Sequence, residues 1–176
     1  MSAADDIRGG HGSLPWTDAE LRAALGLGDE QALEGVTFAG VATDTRTLRK
    51  DTLFVALRGE QFDAHEFLSE AAAAGARGAL VEAIPEGAPE SLHYYVVEDT
   101  LVALGRLANA RRRRLGARVL AITGTNGKTT TKEMTRAVLA SRYRVHATTG
   151  NLNNLVGTPL TVLSAPEDTE ALVVEV

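Results

Sequence analysis

Lys128, Thr129 and Thr130 stand at the end of the run Ile122-Thr123-Gly124-Thr125-Asn126-Gly127. These residue types suit phosphate chemistry. Gly124 and Gly127 let the backbone turn tightly and bring its N–H groups up to an anion. The Lys128 ammonium can reach β- and γ-phosphates, and the Thr129 hydroxyl can ligate Mg²⁺. The spacing departs from the general pattern G-x-x-x-x-G-K-[ST], whose first glycine falls where this chain has Ile122. The bland alternative is a glycine-rich turn with a capping threonine and a solvated lysine.

Such a cradle needs a strand before it and a helix after it, and the flanking residues supply both. The apolar run 119–122 reads as a strand and 131–140 as a helix, whose N-terminus adds free donors and partial positive charge. A strand over 143–147, a polar loop over 148–154 and a helix from about 154 to 164 follow. Gly157 and Pro159 interrupt that helix's first turn. The last strand, 171–176, carries Glu175 at its C-terminal end, where a second Mg²⁺ ligand beside a phosphate loop would sit. Taken alone, Glu175 also reads as an exposed strand-edge residue.

Upstream, Thr17-Asp18-Ala19-Glu20 forms a capping box for a short helix ended by Gly26 or Gly28, with Trp16 as its staple. Strands are predicted over 36–43, 52–57, 79–82 and 94–97, and a helix over 66–74. Asp99 caps a helix over 100–115 that closes on Arg111-Arg112-Arg113-Arg114, read as cations at a solvent-facing helix end. Two loops collect charged, small and aromatic residues at strand ends: Thr43-Asp44-Thr45-Arg46, and Arg58-Gly59-Glu60-Gln61-Phe62-Asp63-Ala64-His65. Alone, the first is a capped surface turn and His65 is a helix-start residue.

The 176 residues suit one domain or two small ones, with 44% hydrophobic and 23% charged residues. A net charge of −5 argues against bulk attraction to nucleic acid or membranes. Cysteine is absent, which excludes disulfide and thiolate chemistry and fits a reducing compartment. No apolar run approaches a membrane span, and residues 1–13 are polar, with Asp5 and Asp6, unlike a secretory signal. Residues 1–13 are expected to be a disordered lead-in and the chain to be cytoplasmic. The fold class is α/β: a small mixed sheet with flanking helices over 14–115, then the first part of a phosphate-loop parallel sheet over 116–176.

The two loops and the glycine-rich stretch together resemble the Mur ligases. Thr43-Asp44-Thr45-Arg46 and 53–65 resemble their N-terminal domain, and Gly124-Thr125-Asn126-Gly127-Lys128-Thr129-Thr130 resembles their ATP loop. Thr131-Lys132-Glu133-Met134, Gly150-Asn151-Leu152-Asn153-Asn154 and Gly157-Thr158-Pro159-Leu160-Thr161 are similar to the branch acting on UDP-N-acetylmuramoyl-tripeptide and D-alanyl-D-alanine. The resemblance implies that Asp44, Thr45 and Arg46 lie at a uridine-diphosphate site, with Arg58, Gly59, Phe62 and His65 near by. It implies ATP held by Gly124, Thr125, Asn126, Gly127, Lys128, Thr129 and Thr130, with Lys128 catalytic. Asn151, Asn153 and Asn154 would touch the muramoyl-peptide or the metal shell, and Thr129 and Glu175 would hold Mg²⁺.

By the same resemblance, the chain is an N-terminal part of a longer, monomeric enzyme. It is expected to lack ligase activity alone, with Val173 and Val174 on an exposed sheet edge. Other readings are a Mur ligase adding the third peptide residue, a binding-only module for a UDP-sugar or nucleotide, and a phosphate-loop switch or kinase.

Overall fold

The computed structural model describes residues 15–28, 32–59 and 62–176. The expected lead-in over 1–13, and Glu60 and Gln61, lie outside the described residues. The chain builds three sheets. β1 (Trp16–Thr17) pairs antiparallel with β2 (Thr37–Phe38). Four parallel strands follow in the order β3 (Gly40–Ala42), β4 (Thr52–Val55), β5 (Gly78–Val81) and β6 (His93–Val96). The third sheet is also parallel: β7 (Arg118–Ile122) and β8 (Val145–Ala147) flank β9 (Ala171–Glu175). The α/β class holds, and the mixture of strand directions comes from the antiparallel ribbon beside all-parallel sheets.

Local chemistry sets most element ends. Thr17 and Glu20 close the capping box of α1 (Asp18–Leu25), and Gly26 ends it in the left-handed region. The expected strand over 36–43 breaks at Ala39. Its N–H bonds to Asp51 O at 2.8 Å, so β2 faces the ribbon and β3 the parallel sheet. The helix expected over 66–74 starts as a 3-10 turn, Ala64–Phe67, capped by Asp63, and continues as α2 (Leu68–Ala73). Asp99 caps α3 (Thr100–Leu115) by accepting from the N–H groups of Leu101 and Val102. The helix after the cradle, α4 (Lys128–Ala140), begins at the lysine itself, and α5 (Gly157–Leu163) precedes β9.

Two apolar clusters hold this together. One fills one face of the four-stranded sheet with α2, through Phe54, Leu68, Ala71 and Val81. The other runs from Trp16, Leu21 and Leu25 through Leu104 and Leu107 of α3 to Leu160, Leu163 and Leu172 of the third sheet. It therefore joins the two parallel sheets through α3 and α5.

Two expectations fail. Arg111 does not face solvent. It is fully buried, its guanidinium donates to Ala165 O at 2.5 Å, and its Nε and Nη1 find no partner among the described residues. The reason is spacing: Leu104, Leu107, Ala108 and Arg111 fall on the stripe of α3 that packs on α5, and position outweighs residue type. Burial, then Arg114, lowers its pKa to about 10, against an opposing pull from Glu167. Only Arg112, Arg113 and Arg114 lie on the outer side, and Arg114 stacks over Trp16 and pairs with Glu20.

Val173 and Val174 are not on a sheet edge either. β9 is inserted between β7 and β8 and both valines are buried. Exposed apolar side chains in this part of the chain include Val119 and Leu120 on the outer strand β7 and Met134 and Val138 on α4.

Candidate active site

The third sheet delivers its chemistry to one end. β7, β8 and β9 are parallel, so the loop after Ile122, the loop after Ala147 and the last residue of β9 meet at their C-terminal ends. Gly124 (φ 151°) and Gly127 (φ 73°) hold the backbone where a side chain would be strained. Gly127 caps α4 without any side-chain hydrogen bond, so the first-turn N–H groups remain open to an anion. Thr125, Asn126 and Thr130 line this turn, exposed to solvent. Lys128 Nζ folds back to donate to Gly124 O at 3.0 Å, across the mouth of the cradle.

Glu175 is the residue that sequence alone left open, and it is not at the surface. It is 3% exposed. Thr129 Oγ1 donates to its carboxylate at 3.1 and 3.4 Å, and Asn153 Nδ2 donates to Oε1 at 3.0 Å. The cradle helix, the polar loop and the strand end therefore converge on one carboxylate. Among the described residues no group of three His, Cys, Asp or Glu could hold a metal. The hydroxyl and carboxylate oxygens present fit a hard ion such as Mg²⁺, whose shell water and phosphate oxygens would complete. Asn151 is exposed on the same loop. Asn154 Oδ1 is committed to capping α5 through the N–H groups of Val156 and Gly157, so only its Nδ2 is left for a ligand.

The candidates on the loops of the four-stranded sheet divide between two cavities. Thr43, Asp44, Thr45, Arg46 and Phe62 line one of about 420 Å³, together with Phe67 and Glu70. Asp44 caps the 3-10 turn Thr45–Thr47 and pairs with Arg46 at 2.6 Å, so a diphosphate there would have to share Arg46 with it. Thr45 Oγ1 donates to Glu70 at 3.0 Å. Phe62, exposed, stacks on Phe67 with centroids 5.2 Å apart, an apolar wall of the kind that takes a planar base.

Arg58 and His65 line the second cavity, of about 280 Å³, with Asp63 and Glu66. Gly59 N–H closes the intervening turn on Phe62 O at 2.8 Å. Asp63 is the hub: it accepts from His65 N–H at 3.0 Å and Arg58 Nε at 2.9 Å, and meets His65 Nδ1 at 2.5 Å. His65 Nε2 accepts the Glu82 N–H at 3.0 Å, which leaves Nδ1 to carry a ring proton toward Asp63. Arg58 and His65 thus brace the loop that carries Phe62, rather than lining the first cavity.

Desolvation works against the Asp63 charge, but the His65 N–H, the His65 ring and Arg58 outweigh it and pull its pKa to about 2. A depressed acid adds stability above its unfolded value of about 4 and loses it as pH falls through its folded value. Asp63→Asn is therefore expected to lower stability at neutral pH and to flatten the acid limb between about pH 4 and pH 2, measured by urea unfolding.

Sequence reasoning missed Phe67 and Glu70 as cavity residues, Asp63 as the hub, and Lys132 and Thr148 beside Glu175. The Asx-cap spacing of Asp63 to His65 was a usable signal for the hub. Nothing local marks Lys132 as buried.

Comparison with known proteins bears on this site directly. Residues 122–176 match the Mur ligase middle domain. Over 142 residues the chain is 50% identical to the UDP-N-acetylmuramoyl-tripeptide–D-alanyl-D-alanine ligase of Bacillus subtilis (strain 168), covering 81% of this chain and 31% of that relative. The enzyme of the same name from Escherichia coli (strain K12) is 45% identical over 140 residues, 80% and 30% of the two chains. A crystal structure of MurF from Acinetobacter baumannii superposes with a TM-score of 0.84 at 36% identity, over 94% of this chain and 36% of that one. MurF ligase from Thermotoga maritima in complex with ADP gives 0.66 at 32% identity, over 77% and 31%. The chain spans about a third of the length of the relatives it matches.

Proposed function

We propose that this chain belongs to the Mur ligase family and supplies the UDP-substrate site and phosphate cradle of an ATP-dependent D-alanyl-D-alanine-adding ligase. In that reading residues 14–115 hold UDP-N-acetylmuramoyl-tripeptide and residues 116–176 open the ATP-binding domain. The uridine-diphosphate end sits in the cavity of Asp44, Thr45, Arg46 and the Phe62–Phe67 pair. Gly124 to Thr130 cradle the ATP phosphates with backbone N–H groups, and Lys128 neutralises charge developing on the transferring phosphoryl. Thr129, Glu175 and Asn153 stand where a Mg²⁺ ion and its shell would be held, and such an ion adds charge neutralisation when bound.

The reaction is phosphoryl transfer from ATP to the terminal carboxylate of the tripeptide. The amine of D-alanyl-D-alanine then attacks this acyl phosphate and phosphate leaves. One substrate is UDP-linked and the phosphoryl donor is ATP, which fits a reaction in the cytoplasm.

The observation that carries the reading is the buried Glu175 carboxylate held against Thr129 at the mouth of the cradle. Its substrate half is tested by calorimetric titration with UDP-N-acetylmuramoyl-tripeptide, with UDP as competitor. Saturable binding that UDP displaces, and that Arg46→Ala weakens by about tenfold, is expected. Binding that ignores UDP would contradict the assignment of the first cavity.

A further inference from the structure

The helix that begins with the cradle lysine is held to its sheet in an unusual way. α4 has a single fully buried side chain, and it is Lys132. Its apolar residues Met134 and Val138 face outward. A buried ammonium is costly unless its donors are used. Lys132, 2% exposed, donates to Thr148 O at 2.7 Å and meets Glu133 Oε1 at 3.1 Å.

Thr148 is itself pinned to β9 twice. Its N–H donates to Val173 O at 2.9 Å, and its Oγ1 accepts the Glu175 N–H at 3.0 Å. A chain of contacts therefore runs from α4 through Lys132 and Thr148 to the backbone of Glu175, and returns through the Glu175 carboxylate to Thr129. Lys132 lies three residues after Thr129 and four after Lys128, on the same face of the helix. With no apolar side chain fully buried along α4, Lys132 and Thr129 supply the side-chain hydrogen bonds that tie the helix to the Thr148 loop and to β9.

We propose that Lys132 is a positioning residue that sets the rotation of α4 on the sheet, and so the alignment of Thr129 with Glu175 across the phosphate cradle. The inference rests on the nucleotide reading only for what that alignment serves. The clamp itself is a property of the ligand-free chain, and the test uses that separation.

Hydrogen exchange of the ligand-free chain is read first, at the Glu175 amide and over residues 148–154. Lys132→Met, which keeps the stem and removes the charge, is expected to speed exchange there by about tenfold while the four-stranded sheet is unchanged. Lys132→Arg, which keeps a cationic donor, is expected to restore part of the protection. Mn²⁺ titration in the presence of ATP is read second, by electron paramagnetic resonance. Lys132→Met is expected to weaken the ion about tenfold and ATP without metal less than twofold.

Unchanged exchange at Glu175 in Lys132→Met would overturn the proposal, as would equal loss of protection in the Arg and Met variants. If Lys132→Met does not fold, Lys132→Arg decides alone: native-like exchange at Glu175 supports the clamp and loss of protection there overturns it. A wild-type chain that ignores Mn²⁺ and ATP would count against the nucleotide reading, and the exchange data would still judge the clamp.

Discussion

A Lys128→Ala chain is expected to bind ATP about a hundredfold more weakly than the wild type, with its unfolding midpoint unchanged. Among the described residues its one hydrogen bond is to Gly124 O, at the surface, so folding has little to lose. The nucleotide has much more to lose. A charge-assisted hydrogen bond to phosphate contributes about 1.5–3 kcal/mol, and each 1.4 kcal/mol is a factor of ten. The remaining cradle is backbone, from Gly124 through the open first turn of α4, and it persists in the variant. Lys128→Arg is expected to recover only part of the loss, because a planar fork does not reproduce a compact ammonium in a narrow turn. Fluorescent-nucleotide titration reads the affinity, and urea unfolding reads the fold.

What the sequence made legible was what depends on neighbours in sequence. The Thr17–Glu20 capping box, the Asp99 cap and the strand–turn–helix around Lys128 rest on residues within a few positions of one another, and all three are present. What stayed hidden depends on strand order and packing. Glu175 reads as an edge residue until β9 is known to lie between β7 and β8, and no local pattern encodes that insertion.

Arg111 and Lys132 make the same point from the other direction. Arg111 sits on the apolar stripe of its helix and Lys132 on no such stripe; in both a cationic side chain argues for solvent, and packing against α5 and the Thr148 loop prevails. The loop over 58–65 was recognised as a unit, yet it serves two faces. Phe62 turns to the Asp44–Arg46 cavity, while Arg58 and His65 turn to Asp63 and Glu82. Residue types identified the loop; the Asp63 hydrogen bonds decide which way each side chain points.

The metal half of the account yields the second large effect, from Glu175→Gln. The amide keeps the size of the carboxylate and can still meet Thr129 and Asn153, so the fold is expected to survive. What it removes is the anionic oxygen pair that a hard cation requires. Cation affinity in the presence of ATP is expected to fall by at least about tenfold, while ATP affinity in the absence of metal stays within twofold.

The measurement that tests the central claim most directly is therefore a Mn²⁺ titration of the wild-type and Glu175→Gln chains, with and without ATP, followed by electron paramagnetic resonance. The account predicts that ATP tightens Mn²⁺ binding to the wild type and that Glu175→Gln largely abolishes this coupling. Equal Mn²⁺ affinity in the two chains at saturating ATP would contradict it, because the buried carboxylate would then be a structural partner of Thr129 and Asn153 and no part of a nucleotide–metal site.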